Sequence, residues 1–329
     1  MKKFLRFLGV MVILIVAFAL YIQFFGYKRM FPDIPYPEMK ASTDPLVIAR
    51  GKYLVYGPAH CANCHTHISN QADVDAGREV PLSGGFEFTT PVGVFRSRNI
   101  TSDKETGIGG FTDQQIARSL RYNVSHTNEA LAPFMPFQEM SEEDMIAVIS
   151  YIRTLAPVRN EVPLSSFNFL GKIVKTFILK PSMPAMKPAY SVSRDTTPEY
   201  GKYLAHYVAN CYGCHTNRDM KTGAFTGKPL AGGLFMEPSP ETQGYGYMTP
   251  NLTPDPETGR MYGWTETAFI NRMKSGRIHK TSPMPWGPFS RMDENDLKAV
   301  YRYLQTVVPV KNEIKKIVYA PGEQMPEVE

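Results

Sequence analysis

All four cysteines of the chain fall in two short strings of the same form, each ending in a histidine. The strings are Cys61-Ala-Asn-Cys64-His65 and Cys211-Tyr-Gly-Cys214-His215. Two thiols one helical turn apart can add to the two vinyl groups of one porphyrin, and the adjacent histidine can then bind the iron. The strings therefore predict two covalently bound c-type haems and leave no thiol for a disulfide.

Other cysteine chemistries need different surroundings. A zinc ribbon places its second cysteine pair roughly 15–20 residues after the first, whereas 147 positions separate Cys64 from Cys211. A thioredoxin-like redox pair stands in a βαβ context and needs no adjacent histidine. A disulfide within either string would close a very small loop. The histidine, present twice, favours haem attachment over all three alternatives.

The elements that must hold these strings are duplicated along the chain. Gly51-Lys-Tyr-Leu54 recurs as Gly201-Lys-Tyr-Leu204, 150 positions later, and the cysteine strings have the same spacing. Five further matched blocks follow in the same order, at offsets of 148 to 152, and begin at the pairs Pro81 and Pro229, Asn99 and Asn251, Glu105 and Glu257, Met135 and Met284, and Tyr151 and Tyr303. Such self-similarity indicates a duplicated domain, and the length of 329 residues suits two domains.

Each repeat is expected to be helical. One helix precedes each cysteine string, around Pro45–Tyr56 and Pro198–Val208, and a middle helix opens at Thr112 and at its counterpart Thr265. A last helix follows Ser141 and carries an acidic first turn. Its apolar residues recur at helical spacing in both repeats: Met145, Val148, Ile149 and Ile152, then Leu297, Val300, Tyr301 and Leu304. Since no strand-like alternation persists, the predicted fold class is all-α.

Composition narrows the class of protein. Hydrophobic residues make up 43% and charged residues 20% of the chain, a globular balance that excludes wholesale disorder. The net charge is +5, but no basic run of five or more occurs, so a nucleic-acid partner is not expected. The long apolar run is confined to one place near the N-terminus, which excludes a polytopic membrane protein.

Residues 7–27 are 21 uncharged, mostly apolar positions, enough for a helix of about 30 Å that crosses a bilayer. Lys2, Lys3 and Arg6 precede them and favour a cytoplasmic N-terminus. A cleaved signal peptide is the competing interpretation, because Ala17-Phe18-Ala19 has the form of a cleavage site. The apolar run continues eight residues past Ala19, which favours an uncleaved anchor in the cytoplasmic membrane. In either case the remaining chain is exported to the periplasmic or extracytoplasmic side.

The expected organisation has five parts: an anchor over 1–30, a first domain over 45–160, a connector over 161–197, a second domain over 198–313 and a tail over 314–329. The connector has an apolar helical face formed by Leu170, Ile173, Val174, Phe177 and Ile178, with lysines elsewhere. A basic amphipathic helix of this kind can lie on a membrane surface. A short segment packed against both domains is the interpretation that we favour.

In these motifs and their order, the chain resembles di-haem cytochromes c built from two class I cytochrome c domains, similar to the cytochrome subunits of membrane-bound dehydrogenases. The resemblance covers about residues 45–160 and 195–313. It implies thioethers at Cys61, Cys64, Cys211 and Cys214, with His65 and His215 as proximal iron ligands. It also implies that the carbonyls of Pro81 and Pro229 accept hydrogen bonds from the far nitrogens of those histidines.

The same resemblance implies that the first and last helices of each domain cross at a small and an aromatic residue. Gly51 with Tyr151, and Gly201 with Tyr303, match this expectation.

The resemblance also implies a methionine as the sixth iron ligand, from the loop before the last helix. Met135 and Met284 lie 70 and 69 positions after the proximal histidines, and each is followed by proline. Methionine is also a common core residue, so packing is the alternative role. Met140 and Met292 align as well, but each directly precedes a helix cap, where an apolar residue packs as a staple. Two sets of histidines remain. His126 and His279 are alternative ligands that are better explained as loop residues, and His60, His67 and His206 are interpreted as surface or haem-edge residues.

The two repeats differ just before their Asn-x-Thr blocks. Arg96 and Arg98 in the first repeat align with Met248 and Pro250 in the second. An arginine can pair with a haem propionate, and charge near a haem changes its reduction potential. We therefore expect Arg98 to bind the first haem and the two haems to have distinct potentials. Two solvated loop arginines are an equally good interpretation.

If both irons carry a protein ligand on each face, no position is open for a substrate. The chain is then expected to relay single electrons between a dehydrogenase or quinol-oxidising complex and a terminal oxidase or soluble cytochrome, and not to be an enzyme. The alternative is a di-haem redox enzyme, a peroxidase or a thiosulfate-oxidising cytochrome, in which one haem has a labile distal ligand. The lack of a spare cysteine and the Met-Pro pair in both repeats disfavour that alternative.

Overall fold

A computed structural model describes residues 1–219 and 223–326. The N-terminal helix and the first repeat contain α1 (Lys2–Phe24), α2 (Pro45–Tyr56), α3 (Cys61–Cys64), α4 (Gln71–Asp75), α5 (Asp113–Tyr122) and α6 (Glu142–Arg153). The connector contains α7 (Phe169–Phe177). The second repeat contains α8 (Pro198–Tyr203), continued by a π-helical turn over Leu204–Val208, then α9 (Cys211–Cys214), α10 (Glu266–Lys274), α11 (Trp286–Ser290) and α12 (Glu294–Thr306).

The helices begin where their capping residues stand. Thr112 and Gln115 form a complete capping box at the start of α5, and the Ser141 hydroxyl accepts a hydrogen bond from the Asp144 N–H at the start of α6. Thr265 caps α10 through the Ala268 N–H. The predicted helices therefore start at the predicted residues in both repeats.

The first and last helices of each repeat touch backbone to backbone at a glycine. A Cβ atom added at Gly51 would lie 1.9 Å from the carbonyl oxygen of Ala147 in α6, and one added at Gly201 would lie 1.9 Å from that of Ala299 in α12. Since no larger side chain fits, glycine sets how closely α2 and α6, and α8 and α12, approach. The next nearest side chains are Tyr151 and Tyr303, as the resemblance implies.

Each repeat also contains a small antiparallel sheet of three strands, which the all-α prediction lacks. The strands are β1 (Glu87–Thr90), β2 (Gly93–Arg96) and β3 (Ser166–Phe167), then β4 (Phe235–Met236), β5 (Gly246–Met248) and β6 (Val318–Tyr319), and β2 and β5 are the central strands. With two to four residues each, these strands are too short to show the alternation that sequence reasoning depends on. The fold is mostly helical with two small sheets.

The third strand of each sheet lies beyond the predicted domain limits. β3 belongs to the segment assigned to the connector, and β6 belongs to the segment assigned to the C-terminal tail. β3 pairs with β2 and β6 pairs with β5, so each returning segment completes the sheet of its own repeat. The duplicated unit therefore extends past residues 160 and 313.

The two repeats meet through reciprocal hydrogen bonds between equivalent positions. The Tyr53 hydroxyl of the first repeat donates to Asp296 Oδ2 of the second at 2.6 Å, and the Tyr203 hydroxyl of the second donates to Asp144 Oδ2 of the first at 2.8 Å. Asp144 additionally accepts two hydrogen bonds from Arg50, at 2.8 and 3.0 Å. This reciprocity is that of a pseudo-two-fold axis relating the repeats.

The connector divides into two parts with different contacts. Its helix α7 lies against α1 and the 3₁₀ turn Gly26–Lys28, and not between the two repeats, where we expected the connector to pack. The part of the connector that follows α7 contacts both repeats. The Glu142 N–H of the first repeat donates to the Ala189 carbonyl, and Arg302 of the second repeat donates to the Thr196 carbonyl.

Candidate haem-binding sites

The two cysteine strings adopt the same local structure. Each Cys-x-x-Cys forms one helical turn, and the N–H of the following histidine donates to the carbonyl of the first cysteine, at 2.9 Å for His65 and 2.8 Å for His215. The residue before each turn is left-handed, with φ of 41° at His60 and 55° at Asn210. Both thiols of each string thus lie on one turn, next to their histidine.

The ring of each proximal histidine is fixed by a backbone carbonyl, but not by the carbonyl that the resemblance implies. His65 Nδ1 lies 2.9 Å from the Arg98 carbonyl oxygen, and His215 Nδ1 lies 3.0 Å from that of Pro250. Pro81 and Pro229 are exposed, and the leucines that follow them are the buried members of their blocks. The prediction of the Pro81 and Pro229 carbonyls as acceptors is therefore corrected to Arg98 and Pro250.

The reason for this pairing lies in the glycines of the same repeated block. The Gly84 N–H donates to the His65 carbonyl at 2.9 Å, and a Cβ atom at Gly84 would lie 2.5 Å from the carbonyl carbon of Arg98. Gly232 stands in the same relation to His215 and Pro250, at 2.8 and 2.5 Å. Both glycines have positive φ, 76° and 73°. The repeated Gly-Gly is thus the sequence signal for the carbonyl that fixes the histidine.

These contacts fit the chemistry of a haem ligand. A carbonyl oxygen only accepts, so the proton of each neutral imidazole is on Nδ1 and the lone pair of Nε2 is free for a metal. Burial lowers the pKa of His65 and of His215, which favours the neutral form that coordinates iron. Burial also raises the pKa of the thiols of Cys61 and Cys211 to about 12. A haem would therefore find both thiols and a pre-oriented imidazole on one segment.

A site built from protein side chains alone does not fit. Within residues 1–219 and 223–326, no group of three or more His, Cys, Asp or Glu side chains is arranged to hold a metal ion.

The methionines differ in burial in the way their proposed roles require. Met140 and Met292 are core residues, 1% and 2% exposed, directly before the last helices. Met135 and Met284 are only partly buried against the same core. Met135 and Met284 therefore keep part of their surface outside the core, whereas Met140 and Met292 are enclosed by protein.

A cation from the middle helix holds each methionine loop. Arg121 Nη1 donates to the Gln138 carbonyl at 2.5 Å and to the Met140 carbonyl at 2.7 Å. At the equivalent place in the second repeat, Lys274 Nζ donates to the Met292 carbonyl at 2.5 Å. The loop after Met135 and the loop after Met284 are therefore tied to α5 and α10. This pair was not predicted from the sequence, because Arg121 and Lys274 are different residue types and so do not appear as a repeated block.

The other five histidines lie outside the two cysteine strings. His126 and His279 are exposed, and the His126 ring lies 4.1 Å from that of Phe111. The His206 ring stacks on Tyr212, and its Nε2 is hydrogen-bonded to the Tyr303 hydroxyl at 2.6 Å. Two further histidines bond locally, His60 to the Pro58 carbonyl and His67 to Ser69.

The two arginines that distinguish the first repeat are anchored to the connector. Arg98 Nη1 donates to the Val162 carbonyl at 2.7 Å and to the Pro163 carbonyl at 3.2 Å. Arg96 Nη1 donates to the Leu164 carbonyl, and its Nε pairs with Glu87 at 2.5 Å. The interpretation of Arg96 and Arg98 as two solvated loop arginines is therefore wrong, because both side chains bind the connector. Arg98 therefore supports the first site through its own carbonyl, while its pairing with a propionate stays a prediction.

Comparison with known proteins finds cytochromes among the relatives of this chain. The cytochrome c family model matches residues 199–307. The chain is 27% identical over 305 residues to the fructose dehydrogenase cytochrome subunit of Gluconobacter japonicus, an alignment covering 87% of this chain and 57% of the relative. It is 28% identical over 297 residues to the cytochrome c subunit of the quinone alcohol dehydrogenase of Gluconobacter oxydans, covering 81% and 56%.

A third relative has a similar length. The chain is 27% identical over 273 residues to a di-haem c-type cytochrome of Cereibacter sphaeroides, covering 78% of this chain and 85% of the relative. By contrast, it spans a little over half the length of the two dehydrogenase subunits. Residues 199–307 therefore match the cytochrome c family, and the chain as a whole is similar to cytochrome subunits of dehydrogenases and to a di-haem c-type cytochrome.

Proposed function

We propose that the protein is a di-haem c-type cytochrome, held at the membrane by α1, that relays single electrons. Its donor is a dehydrogenase or a quinol-oxidising complex, and its acceptor is a respiratory partner such as a terminal oxidase or a soluble cytochrome. The single observation that carries this proposal is the duplicated site: in each repeat one helical turn presents two thiols, and the next residue is a histidine whose Nδ1 is bonded to a carbonyl.

Each haem would supply an iron that gains or loses one electron without forming or breaking a bond to substrate. Cys61 and Cys64 would hold the first haem, and Cys211 and Cys214 the second, while the carbonyl bonds keep both imidazoles in one orientation in either redox state. Met135 and Met284 would complete the coordination and raise the reduction potentials. If Met135 and Met284 bind the irons, no position would be open for a substrate, as electron transfer rather than catalysis requires.

The contact between the repeats supports a relay between the two haems. The segment that follows Met284 lies on the first repeat: the Phe289 ring packs edge-on against His60, next to the first cysteine string, with the ring centroids 5.6 Å apart. Arg291 fixes this contact by donating to the Tyr56 carbonyl at 2.8 Å and to the Val74 carbonyl at 2.9 Å. The ligand loop of one proposed haem thus docks beside the attachment segment of the other.

The N-terminal helix supports the membrane location. Among the described residues, one helix, Lys2–Lys28, is long and apolar enough to cross a membrane, with a mean hydropathy of 2.6. A signal sequence at this position would pass the same test of length and composition. Because most of α1 is exposed to its surroundings, lipid is its natural environment, and tethering would raise the encounter rate with partners in the same membrane.

Haem content and ligand binding test this proposal. Purified from a host that attaches c-type haems, the chain is expected to carry two covalent haems. Cys61→Ser with Cys64→Ser should remove one of them and leave the second. Carbon monoxide should leave the spectrum of the reduced protein unchanged. Prompt carbon monoxide binding to one haem would instead support the di-haem enzyme with a labile ligand, and a haem content of one or none would refute the proposal.

A further inference from the structure

The connector helix α7 leaves an apolar face uncovered directly beside the N-terminal helix. Leu170 is 53% exposed and Ile178 is 51% exposed, and Phe169 and Phe177 are 47% and 49% exposed. Side chains of this size facing water on one short helix are unusual for a soluble domain, where such a patch marks a site of contact. The opposite face is covered: Gly171 and Thr176 are buried.

The position of α7 relative to α1 shows what lies next to this face. The Phe177 ring stacks on the Phe18 ring with centroids 6.1 Å apart. Phe18 is six residues before Phe24, the last residue of α1, and so lies about 9 Å inside the end of that helix at 1.5 Å per residue. If α1 crosses the bilayer, the Phe177 side chain at the end of α7 therefore reaches the depth of the acyl chains.

Two further contacts hold α7 in this place. Lys172 Nζ donates to the Gln23 carbonyl at 3.2 Å, and the Thr176 side chain packs against Gly26, where a Cβ atom would lie 3.0 Å away. The α7 helix is thus attached to the last turn of α1 rather than free to swing away. The apolar surfaces of the two helices join where the exposed Phe18 and Phe177 rings stack.

The basic residues lie where phospholipid headgroups would be. Lys28, Lys172 and Lys175 surround the Tyr27 ring, with ammonium groups 5.8, 4.8 and 5.9 Å from its centroid. Lys175 also pairs with Glu129, so not all of this charge is available to lipid. Lysines around an aromatic ring at the end of a spanning helix are typical of a membrane–water interface.

We infer that α7 is a second membrane element, inserted by its Leu170, Phe177 and Ile178 face into the same leaflet in which α1 ends. The occupant of this face is the phospholipid bilayer. An interfacial helix buries its apolar face about 5–10 Å into the headgroup and acyl boundary, which agrees with the depth set by Phe18. Together α1 and α7 would fix the orientation of the first haem domain, which a single flexible tether cannot do. The inference rests on the proposed anchoring by α1.

Thiol accessibility tests the inference, because the proposed haems consume all four native cysteines and an introduced one is then the only free thiol. The full-length haem-loaded protein would carry Leu170→Cys or Ile178→Cys in vesicles of phosphatidylcholine and phosphatidylglycerol. Val308→Cys, 76% exposed on the second repeat, is the aqueous control, and Leu14→Cys, 63% exposed in the middle of α1, is the control for the anchor. Unchanged haem absorbance confirms that each variant is folded.

We expect a membrane-impermeant maleimide to modify the thiols at positions 170 and 178 at least about tenfold more slowly than the thiol at position 308, while a lipid-soluble maleimide modifies all of them. If positions 170 and 178 react as fast as position 308 while position 14 stays protected, the anchor stands and the inference about α7 is wrong. If position 14 also reacts freely, the anchoring of the proposed function itself fails.

Discussion

At the scale of single residues, the two repeats place the same carboxylate in two different electrostatic environments. Asp144 and Asp296 are equivalent, almost fully buried and bonded to equivalent tyrosines of the other repeat. Only Asp144 has two hydrogen bonds from the Arg50 guanidinium. Burial raises the pKa of Asp296 despite hydrogen bonds from Tyr53 and Tyr200 and the nearby charge of Arg50. Ionisation of Asp296 is therefore less favourable in the folded protein than in the unfolded chain.

This difference predicts opposite effects of one substitution. A carboxyl group whose pKa is higher in the folded state stabilises the fold fully below its unfolded pKa of about 3.9, and this stabilisation is lost as pH rises through the folded value. Asp296→Asn keeps an oxygen for the Tyr53 hydroxyl without the charge. We expect its free energy of unfolding at pH 7 to be equal to or above that of the parent protein, with a flatter dependence on pH above 4.

Asp144→Asn is the matched control for this prediction. It removes the partner of Arg50, and breaking a buried ion pair costs about 3–5 kcal/mol of stability. Denaturant unfolding of the detergent-solubilised protein, followed by circular dichroism across pH 4 to 8, measures both variants. A comparable loss of stability for both substitutions at pH 7 would contradict the distinction between the two sites.

At the scale of secondary-structure elements, the helices were predictable and the sheets were not. Thr112, Ser141 and Thr265 cap the helices expected of them, because a cap and a helical apolar pattern are local signals. Strands of two to four residues have no such signal, and β3 and β6 depend on pairing with residues about 70 positions away. β3 and β6 therefore lie beyond the predicted domain limits at 160 and 313.

The candidate site shows the same division between local and long-range signals. The two cysteine strings and their histidines are contiguous in sequence, so their shared local structure could be predicted. The acceptors of the histidine Nδ1 atoms lie 33 and 35 positions away, and the fold decides which carbonyl reaches them. The repeated Gly84-Gly85 was visible in the sequence, but only the close approach of Gly84 to Arg98 explains it.

The link between the middle helix and the methionine loop gives the prediction at this scale. Arg121 is 3% exposed and donates to two carbonyls of the loop that follows Met135. Arg121→Leu leaves both carbonyls without this donor, at a cost of about 1–3 kcal/mol for each buried acceptor. We expect the loop to become more mobile, and the methionine-to-iron absorption band of the first ferric haem to weaken. The variant should also lose this band at a lower denaturant concentration than the parent protein does.

Arg121→Lys is the control, because the second repeat uses Lys274 for the same bond. It is expected to retain most of the band. A merely structural role would lower the unfolding midpoint of the whole protein without changing the band in native buffer. That result, or an unchanged band and midpoint in Arg121→Leu, would exclude Arg121 as a positioning residue for the first site.

At the scale of the whole molecule, the duplication brings two similar sites together in unlike surroundings. Arg96 and Arg98 tie the first site to the connector, whereas Met248 and Pro250 occupy these positions in the second. The first site also receives the docked Phe289 and Arg291 from the other repeat. Because charge and solvent exposure set haem potentials, we expect such surroundings to separate the potentials of the two proposed haems.

A potentiometric titration of the haem absorbance tests the di-haem relay most directly. The titration is made on the full-length protein in detergent, with the protein concentration determined independently of the haem. We predict two electrons taken up per chain, in two one-electron steps with distinct midpoint potentials. Two one-electron steps with the same midpoint potential would contradict only the predicted difference between the two haem potentials. Uptake of a single electron per chain would contradict the existence of two redox-active haems, and with it the proposed function.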